Sequence, residues 1–405
     1  MAVGRELRFS TLSRVLVVVF AAVCLGACAT VTPRNGIADP HFAQMAHVAG
    51  APGIRFWGDE VPTDVHKEIR RRLPNLPGLA QATRGARTKV EILALSGGGG
   101  DGAFGAGLLA GWTARGDRPQ FEVVTGVSAG AIIAPFAFLG PSYDDELREI
   151  WTQYRTSQII TAQILPGLLG GSSLADSTPM QELIARYVDR RLMRAVAREY
   201  GKGRILLVGT TNLDAQRPVV WNMGEIARSG HKDALALFRK VILASAAIPG
   251  VFPPVEIPVR VGYKTFTEMH VDGGTTRELF VLPVDVPFRA FDAFYRRPPR
   301  RKVYIVSNMK IGAEQEVVEP KTLEIAGRSI STLIKMQSRA NVYRIYRMAK
   351  DDGVDFNYIS VPLNFDLKAE EFFDPEYQRA LYDVGYQLGK KGNGWKKGPY
   401  HRPPT

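Results

Sequence analysis

Cysteine is nearly missing from this 405-residue chain: only Cys24 and Cys28 occur. Two thiols four residues apart near one end rule out a disulfide framework and leave a cysteine–histidine metal cluster without ligands. Histidine is also scarce, with six residues: His41, His47, His66, His231, His270 and His401. The apolar run at residues 15–25 has 11 residues, short of the roughly 20 that cross a bilayer as a helix. No repeat of solenoid spacing is present. Acidic charge is in deficit, with 40 Asp and Glu against 52 Lys and Arg, a net +12. The surplus gathers at residues 296–302 and in the tail 390–405. No nucleic-acid motif accompanies it. It reads as a solvated basic loop and tail, and an anionic lipid surface is the partner that suits it better than nucleic acid.

What is present begins with a leader. Arg5, Arg8 and Arg14 precede the apolar run, the pattern of a secretory signal peptide over residues 1–27. The sequence LGAC that ends at Cys28 resembles a bacterial lipobox, in which the cysteine is lipidated and becomes the mature N-terminus. Ala29 follows, which favours the outer membrane, so the expected location is the cell envelope, on a lipid anchor. Residues 28–54 read as a tether and residues 55–88 as an N-terminal extension.

The main domain is expected over residues 89–283, completed by a C-terminal region over 284–405. KVEILAL (residues 89–95) is an almost wholly apolar, β-branched run, as expected of a strand buried on both faces. Further strands are read at 121–126, 204–213 and 301–308. Helical patterns lie between and after them, among them one continuous amphipathic stretch at 179–200 and two long segments near 323–350 and 369–390. Strands alternating with helices predict an α/β layered fold. The aromatic-rich FRAFDAFYRR (288–297) reads first as core packing, with a lipid-entry lip as the other reading.

Three glycine-bearing motifs carry the chemistry. GVSAG places Ser128 between Gly126 and Gly130, where a buried strand turns into an apolar helix. A nucleophile elbow needs this context, because small flanking residues let backbones approach and the helix N-terminus stabilises negative charge. A helix-capping serine would show the same local pattern. SGGGGDG holds Gly97, Gly98, Gly99, Gly100 and Gly102 between a strand and a helix, where bare N–H groups face an anion. A phosphate loop would end in Gly-Lys-Ser/Thr, yet Asp101, Gly102 and Ala103 stand there. A dinucleotide fingerprint fits in spacing, but Ser128 occupies the exit of the next strand, where an acidic residue is wanted. One strand away from a serine elbow, the loop makes more sense as an oxyanion hole. HVDGG places Asp272 before Gly273 and Gly274; alone, such a pattern is a turn.

Together, in this order, the three motifs resemble the patatin-like phospholipases over roughly residues 90–283. The resemblance implies a three-layer α/β/α fold with a central, mostly parallel sheet. It also implies a Ser–Asp dyad with Ser128 as nucleophile and Asp272 as general base, and activity on lipid esters with no cofactor and no metal. The stretch ASAAIPGVFPPV (244–255) resembles the family's segment ahead of its aspartate. One departure stands out: Asp101 occupies a position where the family usually carries Arg or Lys. An acid there would repel an anionic intermediate or a lipid phosphate, and so favours a neutral ester. Two other functions compete. A histidine-dependent triad, as in a thioesterase or peptidase, would draw on Asp214 or Asp233 followed by His270. A lipid-binding lipoprotein without catalysis would have no use for the intact motifs.

Overall fold

The computed structural model describes residues 34–51, 53–60, 89–162, 173, 175–282, 286–295 and 297–399. The leader at 1–27, the lipobox Cys28 and most of the extension at 55–88 lie outside these residues.

Among the described residues, eleven strands follow one another along the chain. They are β1 (Arg55–Trp57), β2 (Lys89–Leu95), β3 (Val123–Gly126), β4 (Thr161–Ala162), β5 (Ala175–Asp176), β6 (Ile205–Asn212), β7 (Arg217–Asn222), β8 (Val255–Val261), β9 (Lys264–Asp272), β10 (Arg300–Ser307) and β11 (Asp355–Ser360). Apart from the small β4–β5 pair, they form one nine-stranded sheet in the order β1-β7-β6-β3-β2-β10-β11. The five strands from β6 to β11 along this path run parallel. β7, β1 and the β8–β9 hairpin are antiparallel additions.

Alternation along the central strands sends buried side chains into a core on each face of the sheet. On β2, Leu93 and Leu95 join Phe104, Ile133 and Phe136. Ile92 and Ala94 point the other way, into a core with Val342, Ile345 and Ala349 of the helix Thr322–Asp351. A mostly parallel sheet between two helical layers is the three-layer α/β/α architecture expected from the sequence.

The amphipathic stretch at 179–200 is two helices rather than one. Thr178–Tyr187 ends at Val188, and Arg190–Gly201 begins anew with Asp189 accepting the Leu192 N–H at 2.8 Å. The apolar period continues through the break, but an aspartate that caps its own third residue offers the backbone a competing hydrogen bond.

The C-terminal helix Pro375–Lys391 belongs to the same body. It packs on the helix Gly102–Arg115 through two glycine pairs, Gly107 with Gly111 and Gly385 with Gly389. A β-carbon on Gly107 would stand 2.0 Å from the Tyr382 carbonyl, and one on Gly385 would stand 2.2 Å from the Phe104 carbonyl. Only bare backbone allows so close an approach. It brings Tyr377, in the first turn of the C-terminal helix, over the glycine loop. The aromatic-rich segment 288–297 is consistent with core packing at Phe288, which is 1% exposed. No described helix is long and apolar enough to cross a membrane.

Candidate active site

Register explains how Ser128 and Asp272 meet. β3 pairs with the first half of β6 and ends at Gly126, opposite Val208. β7 occupies the other edge of β6 along its second half. β9 therefore pairs with β6 on the edge that β3 has left, with Asp272 opposite Thr210, two residues beyond Val208. The chain leaving β3 runs into the end of β9.

Ser128 sits at φ +53° and ψ −123°, ahead of the helix Ala129–Leu139. A non-glycine residue at positive φ is strained and persists only where its surroundings over-determine it. The flanking glycines do that. A β-carbon on Gly126 would stand 2.3 Å from the Gly130 carbonyl oxygen, and one on Gly130 would stand 2.3 Å from that of Leu95. The Ser128 N–H donates to Ser245 Oγ at 3.0 Å, and Ser245 donates to the Gly209 carbonyl at 2.6 Å. A helix-capping role is excluded, because the Ser128 side chain makes no capping hydrogen bond.

Asp272 is 5% exposed. Its Oδ1 accepts the Gly274 N–H at 2.7 Å. Burial pushes its pKa up to about 7, while the Ser128 hydroxyl and the Gly274 N–H pull it partly back. Asp272 Oδ2 has no aligned hydrogen-bond partner among the described residues, so the contact with the Ser128 hydroxyl is a loose one. Loose contacts of this kind are common in catalytic pairs without substrate.

The glycine loop begins a 3₁₀ turn at Gly99–Asp101, whose first N–H groups have no partner within the turn. Gly98, at φ +150°, lies so close to Asn308 that a β-carbon would stand 1.9 Å from its carbonyl oxygen. Asn308 in turn holds Ser96, donating its side-chain N–H to the Ser96 carbonyl at 2.8 Å. The sequence-predicted residues thus come together: Gly98, Gly99, Gly100, Asp101, Ser128 and Asp272 all line one open cleft of about 960 Å³. Gly97 lies directly beside Ser128. Gly102 lies under the loop, against Trp151, and Gly273 packs on the Gly209 carbonyl.

Asp101 is not a free acid facing substrate. Tyr377 donates its hydroxyl to Asp101 Oδ1 at 2.8 Å. Burial raises the Asp101 pKa to about 6, and Lys310 and Lys335 nearby lower it. Both lysines line the cleft and pair with Glu314. Sequence reasoning missed this cluster and one further acid, Glu278, which lines the cleft at 2% exposure. Glu278 follows the Asp-Gly-Gly motif by only a few residues, and that proximity is the signal that could have found it.

His270 takes no part in the cleft. It is fully buried, with Nε2 against Glu268 Oε2 at 3.1 Å and Nδ1 against Thr210 Oγ1 at 3.0 Å. Burial holds its pKa below the ordinary value, despite Glu268. Asp214 is committed to Arg34 at 2.5 Å, and Asp233 precedes the helix Ala234–Ser245. The chain order required of a triad is therefore present without its geometry. Among the described residues no group of three His, Cys, Asp or Glu could hold a metal.

A strained serine at a strand-to-helix elbow, beside a buried carboxyl and a glycine loop, has the layout of a nucleophile elbow. Residues 93–286 match the family model described as patatin-like phospholipase. No curated protein matches the chain by sequence. Among solved structures it is similar to VipD from Legionella pneumophila, with 10% identity and a TM-score of 0.35 over 77% of this chain and 68% of that one. It is also similar to human GIVD cytosolic phospholipase A2, with 11% identity and a TM-score of 0.32 over 77% of this chain and 56% of that one.

Proposed function

We propose that the chain cleaves lipid ester bonds with a Ser128–Asp272 dyad and an oxyanion hole made by the glycine loop. The observation that carries this reading is the meeting of a strained, buried serine with a carboxyl of pKa about 7 at the floor of a large cleft. Ser128 Oγ attacks the acyl carbonyl, and its proton passes to Asp272 as the bond forms. The carbonyl electrons move to oxygen, which meets the N–H groups of the glycine loop. Collapse expels the alcohol, which takes the proton from Asp272 and leaves an acyl-serine. Water then attacks, Asp272 accepts its proton, and Ser128 regains one as the fatty acid departs.

The cleft suits a lipid. Ile330, Leu363, Leu367 and Phe372 line it and are each at least 41% exposed, an apolar margin that a dissolved polar substrate would not need. Lys310 and Lys335 stand near Asp101, so the acid at this loop position does not leave the wall uniformly negative. A phospholipid is thus compatible with the site alongside a neutral ester. The basic tail and a lipid on Cys28 would hold the enzyme at a membrane, because one acyl chain binds marginally and several bind stably.

Purified protein incubated with mixed membrane lipids should release fatty acid, identified by mass, and the Ser128→Ala variant should release none. Equal release by the two proteins would overturn the assignment. Replacing Cys28 with Ser should shift the protein from the membrane to the soluble fraction; unchanged fractionation would remove the anchor.

A further inference from the structure

Glu278 is the buried acid that the mechanism above leaves unused. Its carboxyl is wedged between the two catalytic candidates. A β-carbon on Gly97 would stand 2.4 Å from Glu278 Oε1 and 2.8 Å from the Ser128 β-carbon. A β-carbon on Gly274 would stand 2.2 Å from Glu278 Oε2 and 3.0 Å from Asp272 Oδ1. One carboxylate oxygen therefore faces the nucleophile and the other faces the base. Oε1 has no hydrogen-bond partner among the described residues. The Glu278 backbone is fixed from above, its N–H donating to Gln337 Oε1 at 3.1 Å.

We propose that Glu278 is a positioning residue of the catalytic centre: its carboxyl holds the proton of the Asp272–Glu278 pair, so that Asp272 stays the ionised, proton-accepting member. The proposal rests on the reading of Asp272 as base. Two carboxylates this close, both almost dry, cannot both be charged without a large penalty. Among the described residues neither forms an ion pair. Asp272 has the aligned Gly274 N–H and the Ser128 hydroxyl to favour its charge. Glu278 has only a loose contact with the Gly97 N–H, against burial and the neighbouring Asp272 charge, and its pKa is raised well above the ordinary value. Of the other charged groups along the cleft, Asp101 is engaged with Tyr377, Lys310 and Lys335 with Glu314, and Arg328 with Glu316, while Asp366, Lys368 and Glu371 also line it; Asp272 is the charge that acts on Glu278. The proton therefore belongs on Glu278. When Glu278 finally ionises, a second negative charge appears beside the site where the oxyanion forms, and the reaction slows. The two acids titrate as a pair, Asp272 setting the acid limb of the rate and Glu278 the alkaline limb.

The test is the pH dependence of Ser128 labelling by a fluorophosphonate probe, measured from about pH 5 to 10. This reads nucleophile activation without knowledge of the natural lipid. Wild-type protein should give a bell. Glu278→Gln, which stays neutral and keeps the shape, should keep the acid limb. It should lose the alkaline limb. An alkaline limb identical to wild type would overturn the proposal. So would a loss of about 100-fold at every pH, since a charged Glu278 would then be the base. Should Glu278→Gln fail to fold by near-ultraviolet circular dichroism, Glu278→Asp supplies the test, because it must retain an alkaline limb and a flat profile would overturn the idea. A wild-type chain that never labels would remove the dyad itself, a result distinct from either limb changing.

Discussion

Ser245 and Ser128, 117 residues apart, share one hydrogen bond: the Ser245 hydroxyl accepts the Ser128 N–H at 3.0 Å. The same hydroxyl donates to Gly209 on β6. The elbow is thus tied to the strand that also positions Asp272. Ser245→Ala leaves a buried N–H and a buried carbonyl unpaired. We expect a loss of about 1–3 kcal/mol in denaturant unfolding and about tenfold slower labelling of Ser128. Unchanged labelling in a destabilised variant would show that the elbow holds its shape without this tether.

The two glycines at the front of the loop should respond differently. A side chain at Gly98 meets the Asn308 carbonyl oxygen at 1.9 Å, so Gly98→Ala should disrupt the loop and lower stability along with activity. At Gly99 the nearest atom to a β-carbon is Phe372 at 3.6 Å, so Gly99→Ala fits, with strain from φ +55°. Its methyl stands in the cleft. Turnover should fall about 100-fold or more with the unfolding midpoint shifted only slightly. Comparable kcat/KM in wild type and Gly99→Ala would place the oxyanion donors elsewhere.

Asp101 and Tyr377 form the other test of the loop. Asp101→Asn removes a negative charge and keeps a partner for the Tyr377 hydroxyl. With Lys310 and Lys335 then less offset, the rate on an anionic phospholipid should rise relative to that on a neutral ester, by about threefold to tenfold. A ratio equal to wild type would mean that this carboxyl does not sense the headgroup.

The elbow and the Asp-Gly-Gly turn were legible because their signals are local. A β-branched strand, a serine between small residues and an apolar helix lie within some twenty positions of one another. The four apolar strands and the layered class followed from the same kind of pattern. The β8–β9 hairpin was not read. Its strand β8 carries Pro258, β9 carries charged Glu268 and His270, and the pair is held by a buried Arg55–Glu268 contact at 2.5 Å from an edge strand more than 200 residues away. Contacts of that range leave no period in the sequence. The glycine pairs that bring Tyr377 to Asp101 are equally silent, since each half looks like an ordinary interrupted helix. Asp101 read alone suggested repulsion; only the fold supplies the tyrosine and lysines around it.

Stability should depend on pH through Asp272 with an unusual sign. Unfolded, the group ionises near pH 4; folded, near 7. Below pH 4 both states are protonated and Asp272 contributes nothing. Between these values the folded chain keeps a proton that the unfolded chain has released, so stability falls as pH rises. Above about 7 the full cost of the buried charge applies. Asp272→Asn keeps the acceptor for Gly274 and never ionises. It should be more stable than wild type at pH 8, by a few kcal/mol on the order-of-magnitude scale of such shifts, and the gap should close toward pH 4. Thermal melts across this range check it, and a variant less stable at pH 8 would contradict it.

The central claim is that Ser128 and Asp272 work as one unit without a histidine. It is tested most directly by turnover of a single lipid ester by purified wild type, Ser128→Ala, Asp272→Asn, the double variant and His270→Ala, each confirmed as folded. The account predicts that each dyad change alone removes nearly all activity and that the double change costs little more, because losses within a catalytic unit are not additive. His270→Ala should lower stability, by breaking the buried chain from Glu268 to Thr210, yet keep most of the turnover of its folded fraction. An active Asp272→Asn enzyme, or a folded His270→Ala as inactive as Ser128→Ala, would contradict it.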